Sequence, residues 1–280
     1  MHRVLTGSLQ VEQLTISIAN LPPHLRGTKL AHLTDFHYDG QRLSEWLLAE
    51  AIAATNQAAP DLIVLTGDYI THEPEPIYDL VLRLKNLQSR AGIYAVLGNH
   101  DRYWPGAKKQ VTKALNQIGI QVLENEVVYP LGPELALVGL KDFWERPFTP
   151  EAVMNSLKDS LPRIVLAHNP DSAETLQNWR VDLQLSGHTH GGQIVIPGVG
   201  PIATFAKPIR RILPKFMRPW VPYLSCYKVT HHWEWASGLH HLGSNQLYVN
   251  RGLGTYFPGR LFCPPEVTII TLTDLDTSDP

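Results

Sequence analysis

The sequence predicts an α/β layered fold, and three observations carry that prediction. Short apolar runs alternate with helical patterns, each run ends in a polar cluster, and the later runs lose the helices between them. Residues 29–34 read as a buried strand. A helix follows over 43–59, with Ser44 at its N-cap and Pro60 as its stop. Residues 61–66 form the next strand and 77–90 the next helix. Further strands fall at 93–97, 163–167 and 181–185, with helical patterns at 107–118, 151–157 and 171–178 beside them. Strands alternating with helices imply a largely parallel sheet segment. Runs at 193–196, 246–250 and 266–272 read as strands without long helices between them, which predicts a second, more antiparallel sheet. The stretch 11–21, alternating around Leu14, Ile16 and Ile18, is assigned to that second sheet.

No repeat, low-complexity tract or linker splits the chain, so residues 1–280 read as a single domain. A chain of this length can bury roughly 75% of its unfolded surface without covalent staples. Cys226 and Cys263 cannot make a disulfide framework. The balance of 24 basic against 26 acidic residues argues against a general nucleic-acid binder. The first residues lack the apolar run of a signal peptide, and no stretch reaches the roughly 18 apolar residues of a membrane span, so a cytoplasmic location is expected.

The chemistry sits at the strand ends. Asp35-Phe36-His37 follows the first strand and Gly67-Asp68 the second. Gly98-Asn99-His100-Asp101 follows 93–97, His168-Asn169 follows 163–167, and Gly187-His188-Thr189-His190 follows 181–185. Ligands of open α/β sheets bind beyond the carboxyl ends of the strands. One such Asp is explained as a helix cap; five clusters in succession are not. Asp35 and His37, two apart on what reads as an extended segment, would point the same way, and His188 and His190 repeat the arrangement. Carboxylates, imidazoles and an amide oxygen without thiolates suit Mn, Fe or Zn. Two carboxylates, four His and one Asn exceed one mononuclear site. They suffice for two metals about 3.5–4 Å apart sharing a carboxylate, with a remaining His to supply a proton.

These residues, in this order, resemble the calcineurin-like metallophosphoesterases. The resemblance implies a four-layer αββα sandwich and a phosphoester substrate. It implies two divalent ions, manganese first among Mn, Fe, Zn and Mg, and a metal-bridging hydroxide as the attacking group. It places Asp35, His37 and His190 on one metal and Asn99, His168 and His188 on the other, with Asp68 bridging. His100 would contact phosphate and protonate the leaving group. The continuation Tyr69-Ile70-Thr71-His72-Glu73 lacks the acidic and Arg-Gly pattern of the family's protein phosphatases. Gly191-Gly192-Gln193 and the segment from Arg251 to Glu266 are similar instead to a bacterial YkuE-like and YaeI-like subgroup and to calcineurin-type UDP-2,3-diacylglucosamine pyrophosphatases. That similarity implies a phosphodiester or diphosphate substrate, lipid-linked ahead of nucleotide. A broad phosphomonoesterase and a non-catalytic metal-binding scaffold are the alternatives; the intact ligand set and His100 count against the scaffold.

Between Asp182 and Glu234 no acidic residue occurs, whereas Lys207, Arg210, Arg211, Lys215, Arg218 and Lys228 do. Apolar residues are interleaved, among them Phe205, Ile209, Ile212, Phe216, Met217, Trp220 and Tyr223, and Pro208, Pro214, Pro219 and Pro222 preclude a long helix. The stretch at about 198–237 is therefore read as an insertion. It is either a solvated surface element or a basic, apolar flap beside the metals that gives a peripheral membrane contact. Asp39 is expected to cap a loop, His231-His232 and His240-His241 to serve surface or packing roles, and Cys263 to be buried. Arg260 is expected either to meet substrate phosphate or to pair with Glu266.

Overall fold

The computed structural model describes residues 6–218, 224 and 226–275; Pro219, Trp220, Pro222 and Tyr223 of the expected flap lie outside the described residues. The strands are β1 (Gln10–Ile18), β2 (Lys29–Leu33), β3 (Leu62–Leu65), β4 (Ile93–Ala95), β5 (Ile120–Val122), β6 (Glu126–Val128) and β7 (Ala136–Gly139). They continue with β8 (Arg163–Leu166), β9 (Leu183–Ser186), β10 (Val195–Ile196), β11 (Gly200–Pro201), β12 (Gly238–Leu242), β13 (Asn245–Val249) and β14 (Glu266–Asp274). The helices are α1 (Glu45–Gln57), α2 (Ile77–Leu84), α3 (His100–Tyr103), α4 (Ala107–Gln117), α5 (Glu151–Met154), α6 (Ser172–Leu176) and α7 (Ala206–Ile212).

The first sheet has the order β1-β14-β2-β3-β4-β5 and the second β12-β13-β9-β8-β7-β6; β10 and β11 form a separate hairpin. Strand alternation sends neighbouring residues to opposite faces, and the cores follow it. Leu30, Leu62 and Val64 pack with Ile164, Leu166, Leu183 and Leu185 between the sheets. Ala31, Ile63 and Leu65 pack outward against Leu47 and Leu48 of α1, Leu80 of α2 and Val111 of α4. On the far side Val138 and Val165 meet Val153, Met154 and Leu176 of the short helices. The result is the αββα layering.

Two expectations are corrected. The amino-terminal strand and the 266–272 strand join the first sheet rather than the second: β14 runs parallel to β1 and antiparallel to β2. Glu266–Ile270 of β14 is buried throughout, as a strand covered on both faces requires, and only the edge strand β1 alternates. The second sheet is parallel through β13, β9, β8 and β7, with antiparallel pairs only at its two edges. Its crossover helices α5 and α6 have four and five residues, and between β9 and β13 the chain makes the basic excursion that carries α7. The 193–196 run contributes only Val195–Ile196, in the hairpin.

Helix α1 begins as expected, with the Ser44 hydroxyl accepting from the Leu47 N–H at 3.2 Å. Helix α2 stops at Leu84, six residues early. The Asn56 side chain takes the Asn86 carbonyl (2.8 Å) and the Gln88 N–H (2.9 Å), groups a continuing helix would have used. Strands β5, β6 and β7, of three or four residues, are too short to show a period in the sequence.

A buried ion pair ties β14 to the end of β13. Glu266, 2% exposed, lies 2.7 Å from Arg251 Nε and also accepts from the Tyr248 and Thr268 hydroxyls at 2.5 Å. Removing Glu266 takes the acceptor from the Tyr248 and Thr268 hydroxyls, while half-buried Arg251 keeps Glu12 at 2.7 Å. Glu266→Ala is expected to lower unfolding free energy by about 1–3 kcal/mol, read from the urea midpoint; a loss within about 0.5 kcal/mol would mean the cluster contributes nothing net.

Candidate metal centre

Strands β2, β3, β4, β8, β9 and β13 all end at one edge of the sandwich, and the polar clusters lie in the loops that follow them. The loops are interlaced by backbone bonds: Asp35 N–H donates to Gly67 O at 2.9 Å and His37 N–H to Asp68 O at 3.0 Å. The first sheet's carboxylates also hold the other loops. Asp35 accepts from the His188 N–H (3.1 and 2.9 Å to its two oxygens), and Asp68 Oδ1 from the His100 N–H (2.9 Å).

The expected extended geometry of the Asp35/His37 and His188/His190 pairs is wrong; Asp35 and His37 still fall in one group of ligand atoms, whereas His188 and His190 fall in different groups. Asp35, His37, Asp68, His188 and His190 all have left-handed backbones, with φ of 51°, 42°, 55°, 73° and 52°. Such conformations cost of order 1–3 kcal/mol each and persist where surrounding structure over-determines them. Two glycines are required for the resulting close approach: a Cβ at Gly98 would overlap the Asp68 carboxylate, and one at Gly187 would overlap that of Asp35.

The structure brings seven of the eight predicted side chains into three overlapping groups. Asp35, His37 and His190 form one, His37, Asp68 and His100 a second, and Asp68, His168 and His188 a third, with the ligand atoms of each within 4.8 Å of one another. His37 Nε2 lies 3.0 Å from His190 Nε2 and 3.5 Å from Asp68 Oδ2. Asp68 Oδ2 lies 3.1 Å from His168 Nε2, which lies 3.2 Å from His188 Nδ1. The eighth, Asn99, lines the same cleft. Its amide nitrogen donates to the Tyr103 hydroxyl (2.7 Å), and its Oδ1 is buried without a hydrogen-bond partner.

Two features fit this set to cations. A backbone carbonyl only accepts, so His168 Nδ1 carries the proton donated to Thr66 O (2.7 Å), His190 Nδ1 that donated to Gly254 O (3.1 Å) and His188 Nε2 that donated to Val229 O (2.7 Å). In the neutral rings the opposite nitrogens then turn lone pairs inward, the arrangement by which protein metal ligands are oriented, while His168 Nε2 holds a proton against Asp68 that a cation would displace. The orphaned Asn99 oxygen is a further inward acceptor. Burial drives His37 and His190 well below the ordinary imidazole range and His188 down to about 4. Burial also raises Asp35 to about 6. At His168 burial is outweighed by the Asp68 charge, which raises it to about 10; Asp68, though buried, is held well below its ordinary value by His168 and His100. A divalent cation supplies the positive charge that neutral imidazoles and buried carboxylates require.

Several positioning groups are not marked by any sequence motif. Tyr256, from the loop after β13, shares a hydrogen bond with His37 Nδ1 at 3.1 Å. Asp171 is fully buried and accepts from the Thr230 hydroxyl (2.6 Å) and the His231 and His232 N–H groups (2.8 and 3.1 Å), which fixes the segment carrying the Val229 carbonyl. Arg260 does not pair with Glu266. It donates to the carbonyls of Arg251, Gly252 and Gly254 at 2.8, 3.1 and 2.7 Å, while Glu266 is held by Arg251. Buried under the loop, the guanidinium organises the backbone that receives His190.

Asp39 caps its loop by accepting from the Gln41 and Arg42 N–H groups, both at 2.9 Å. His232 stacks on Trp235 and bonds Glu234, and His240 bonds Ser237 O. Both cysteines are free, and Cys263 is buried. Above the polar cluster opens a cleft of about 470 Å³, one wall of which is apolar: Trp144, Ala203, Cys226, Val229, Trp233 and Phe257.

A two-sheet α/β sandwich with buried carboxylates and imidazoles at its strand ends defines a metal-dependent hydrolase of phosphoric esters. The chain belongs to the calcineurin-like phosphoesterase family, whose model matches residues 28–192. It is 33% identical to Phosphodiesterase YaeI of Escherichia coli (strain K12), covering 87% of this chain and 82% of that protein. It is 31% identical to the uncharacterized metallophosphoesterase YkuE of Bacillus subtilis (strain 168), with 94% and 85% covered. To UDP-2,3-diacylglucosamine pyrophosphatase LpxG of Chlamydia muridarum it is 27% identical, with 88% and 84% covered. The structure of TT1561 from Thermus thermophilus shares the fold at a TM-score of 0.51 and 11% identity, over 82% of this chain and 90% of that one. The family uses divalent metals. No helix among the described residues is long and apolar enough to cross a membrane.

Asp101 locks the loops after β3 and β4 together, accepting from the N–H groups of Asp68, Tyr69 and Gly98, each at 2.8 Å. Asp101→Asn replaces one acceptor oxygen by a donor facing donors. It is expected to cost about 1–3 kcal/mol and to speed amide exchange at Asp68, Tyr69 and Gly98. Unchanged exchange at all three would contradict the clamp.

Proposed function

We propose that the chain hydrolyses a phosphodiester or diphosphate bond of a lipid-linked substrate, using two divalent cations held side by side. The observation that carries the dinuclear reading is the placement of Asp68 Oδ2, 3.5 Å from His37 Nε2 in one group and 3.1 Å from His168 Nε2 in the other. Asp35, His37 and His190 would hold one ion, Asn99, His168 and His188 the second, and Asp68 both. When bound, such ions neutralise charge on phosphoryl oxygens and make a water acidic enough to attack at neutral pH.

The chain's own residues supply the rest. The left-handed loops hold the ligands rigidly, so orientation is fixed before substrate arrives. His100 Nδ1 donates to Thr71 O at 2.7 Å, which leaves Nε2 as the nitrogen for the cleft; in the doubly protonated ring Nε2 would carry the proton that passes to the leaving-group oxygen, leaving the neutral imidazole. The apolar wall supports the lipid-linked reading, because a phosphate-sized substrate has no use for Trp144, Trp233 and Phe257 beside the ions. The names of YaeI and LpxG, a phosphodiesterase and a pyrophosphatase of a diacylated sugar nucleotide, support the same substrate class. Such a substrate also calls for peripheral contact with a membrane. We read residues 1–280 as one domain with an insertion at about 198–237, a reading supported by β14 entering the first sheet beside β1.

The test compares bis(p-nitrophenyl) phosphate with p-nitrophenyl phosphate on protein stripped by chelator and reloaded with Mn, Fe, Zn or Mg. Diester turnover restored by metal, best by Mn, is expected. Preference for the monoester would replace this reading with a phosphomonoesterase. His100→Asn is expected to lower diester turnover by about 10²–10⁴-fold with metal content unchanged; loss of metal would make His100 a ligand instead of the proton donor.

A further inference from the structure

The excursion between β9 and β12 turns its apolar side outward. In α7 only Ala206 is buried. Phe205, Ile209 and Ile212, spaced four and three residues apart on one helical face, are exposed, as are Phe216 and Met217 just beyond. Ile212 is 85% and Phe216 76% exposed. A second set lies on the loop after β13, where Phe257 is 91% and Phe262 68% exposed, with Leu261 between them. The two sets are joined through the hairpin: Leu261 N–H donates to Gln193 O (2.8 Å) and Val195 N–H to Leu261 O (3.0 Å). Ile196 and Val199 of that hairpin are exposed as well. Soluble surfaces scatter apolar residues singly; a concentration of this kind marks an interaction site.

Its chemistry selects the partner. Exposed Lys207, Arg211 and Lys215 alternate with the apolar residues, and no acidic residue occurs between Asp182 and Glu234. Among the described residues no ion pair engages Lys207, Arg211 or Lys215. The apolar side chains stand on separate projecting elements: a helix, a hairpin and a loop. That form suits insertion among lipid chains better than a groove for a peptide. The same elements border the cleft, since Ala203 and Phe257 line it.

We propose that α7 with residues 213–218, the β10–β11 hairpin and the Phe257–Phe262 loop together form a docking surface for an anionic lipid bilayer. Apolar side chains enter the acyl boundary while lysine and arginine meet headgroup phosphates. The cleft then opens toward the membrane, and a lipid-linked substrate reaches the metal centre with its acyl part along the apolar wall. This inference rests on the lipid-linked reading of the cleft and names the surface that serves it.

The test sediments the full chain with vesicles of phosphatidylcholine containing about one-third phosphatidylglycerol, and with vesicles of phosphatidylcholine alone. Co-sedimentation with the anionic vesicles only, weakened by high salt, is expected. Ile212→Asp with Phe216→Asp, and separately Lys207→Glu with Arg211→Glu and Lys215→Glu, should each reduce partitioning by about tenfold or more. Both variants should keep metal-restored hydrolysis of the soluble diester, since none of these residues lines the cleft. Absence of native binding, equal binding to neutral vesicles, or full binding by either variant would overturn the proposal. So would a change from dimer to monomer in the variants without vesicle binding, which would make the face a contact between copies of the chain. Vesicle binding without hydrolysis under any metal would leave the docking surface standing and remove the catalytic reading, so the two failures are distinguishable.

Discussion

Everything at the strand-end edge follows from one constraint: acceptor atoms are buried facing one another. His37 and His190 bring Nε2 atoms to 3.0 Å, and His168 and His188 bring ring nitrogens to 3.2 Å, around two buried carboxylates. The Thr66, Gly254 and Val229 carbonyls fix the outward nitrogens of three of these imidazoles as donors, so an inward nitrogen can donate only where its ring is charged, and burial keeps His188 and His190 neutral. Unpaired, such a cluster is costly to bury. With cations among them the same atoms become a stabilised centre, and folding and metal binding become linked.

The remainder of the architecture serves that convergence. Parallel strands of both sheets deliver their loops to one edge, and the loops reach inward by taking left-handed backbones at five candidate ligand positions. Strain of that kind needs support. Asp101 clamps two loops from the first sheet, Arg260 gathers the carbonyls of the loop after β13, and glycines at 98 and 187 leave room for the carboxylates. The basic excursion is part of this frame, because its Val229 carbonyl orients His188 and Asp171 holds the segment that carries it. One element therefore walls the cleft, orients a candidate ligand and presents the apolar surface.

Much of this was legible in the sequence. Apolar strands punctuated by Asp, His and Asn specify both the layering and the edge, because strand polarity dictates where the loops emerge. Local logic failed in two ways. Asp35 and His37 converge, but through turns rather than extension, since period-two reasoning stops where the strand stops. The sheet assignment of β1 and β14 depended on a long-range pairing that composition does not encode. Tyr256 and Asp171 act on residues far away in the chain, so no local pattern could announce them; Arg260 stood out as a cation, but its partners are carbonyls, which every residue carries.

The central claim is that two cations, sharing Asp68, occupy this cluster. Elemental analysis of the chain after manganese loading and removal of free metal tests it most directly. The account predicts two equivalents per chain, while a single equivalent that resists further loading, or none, would contradict it.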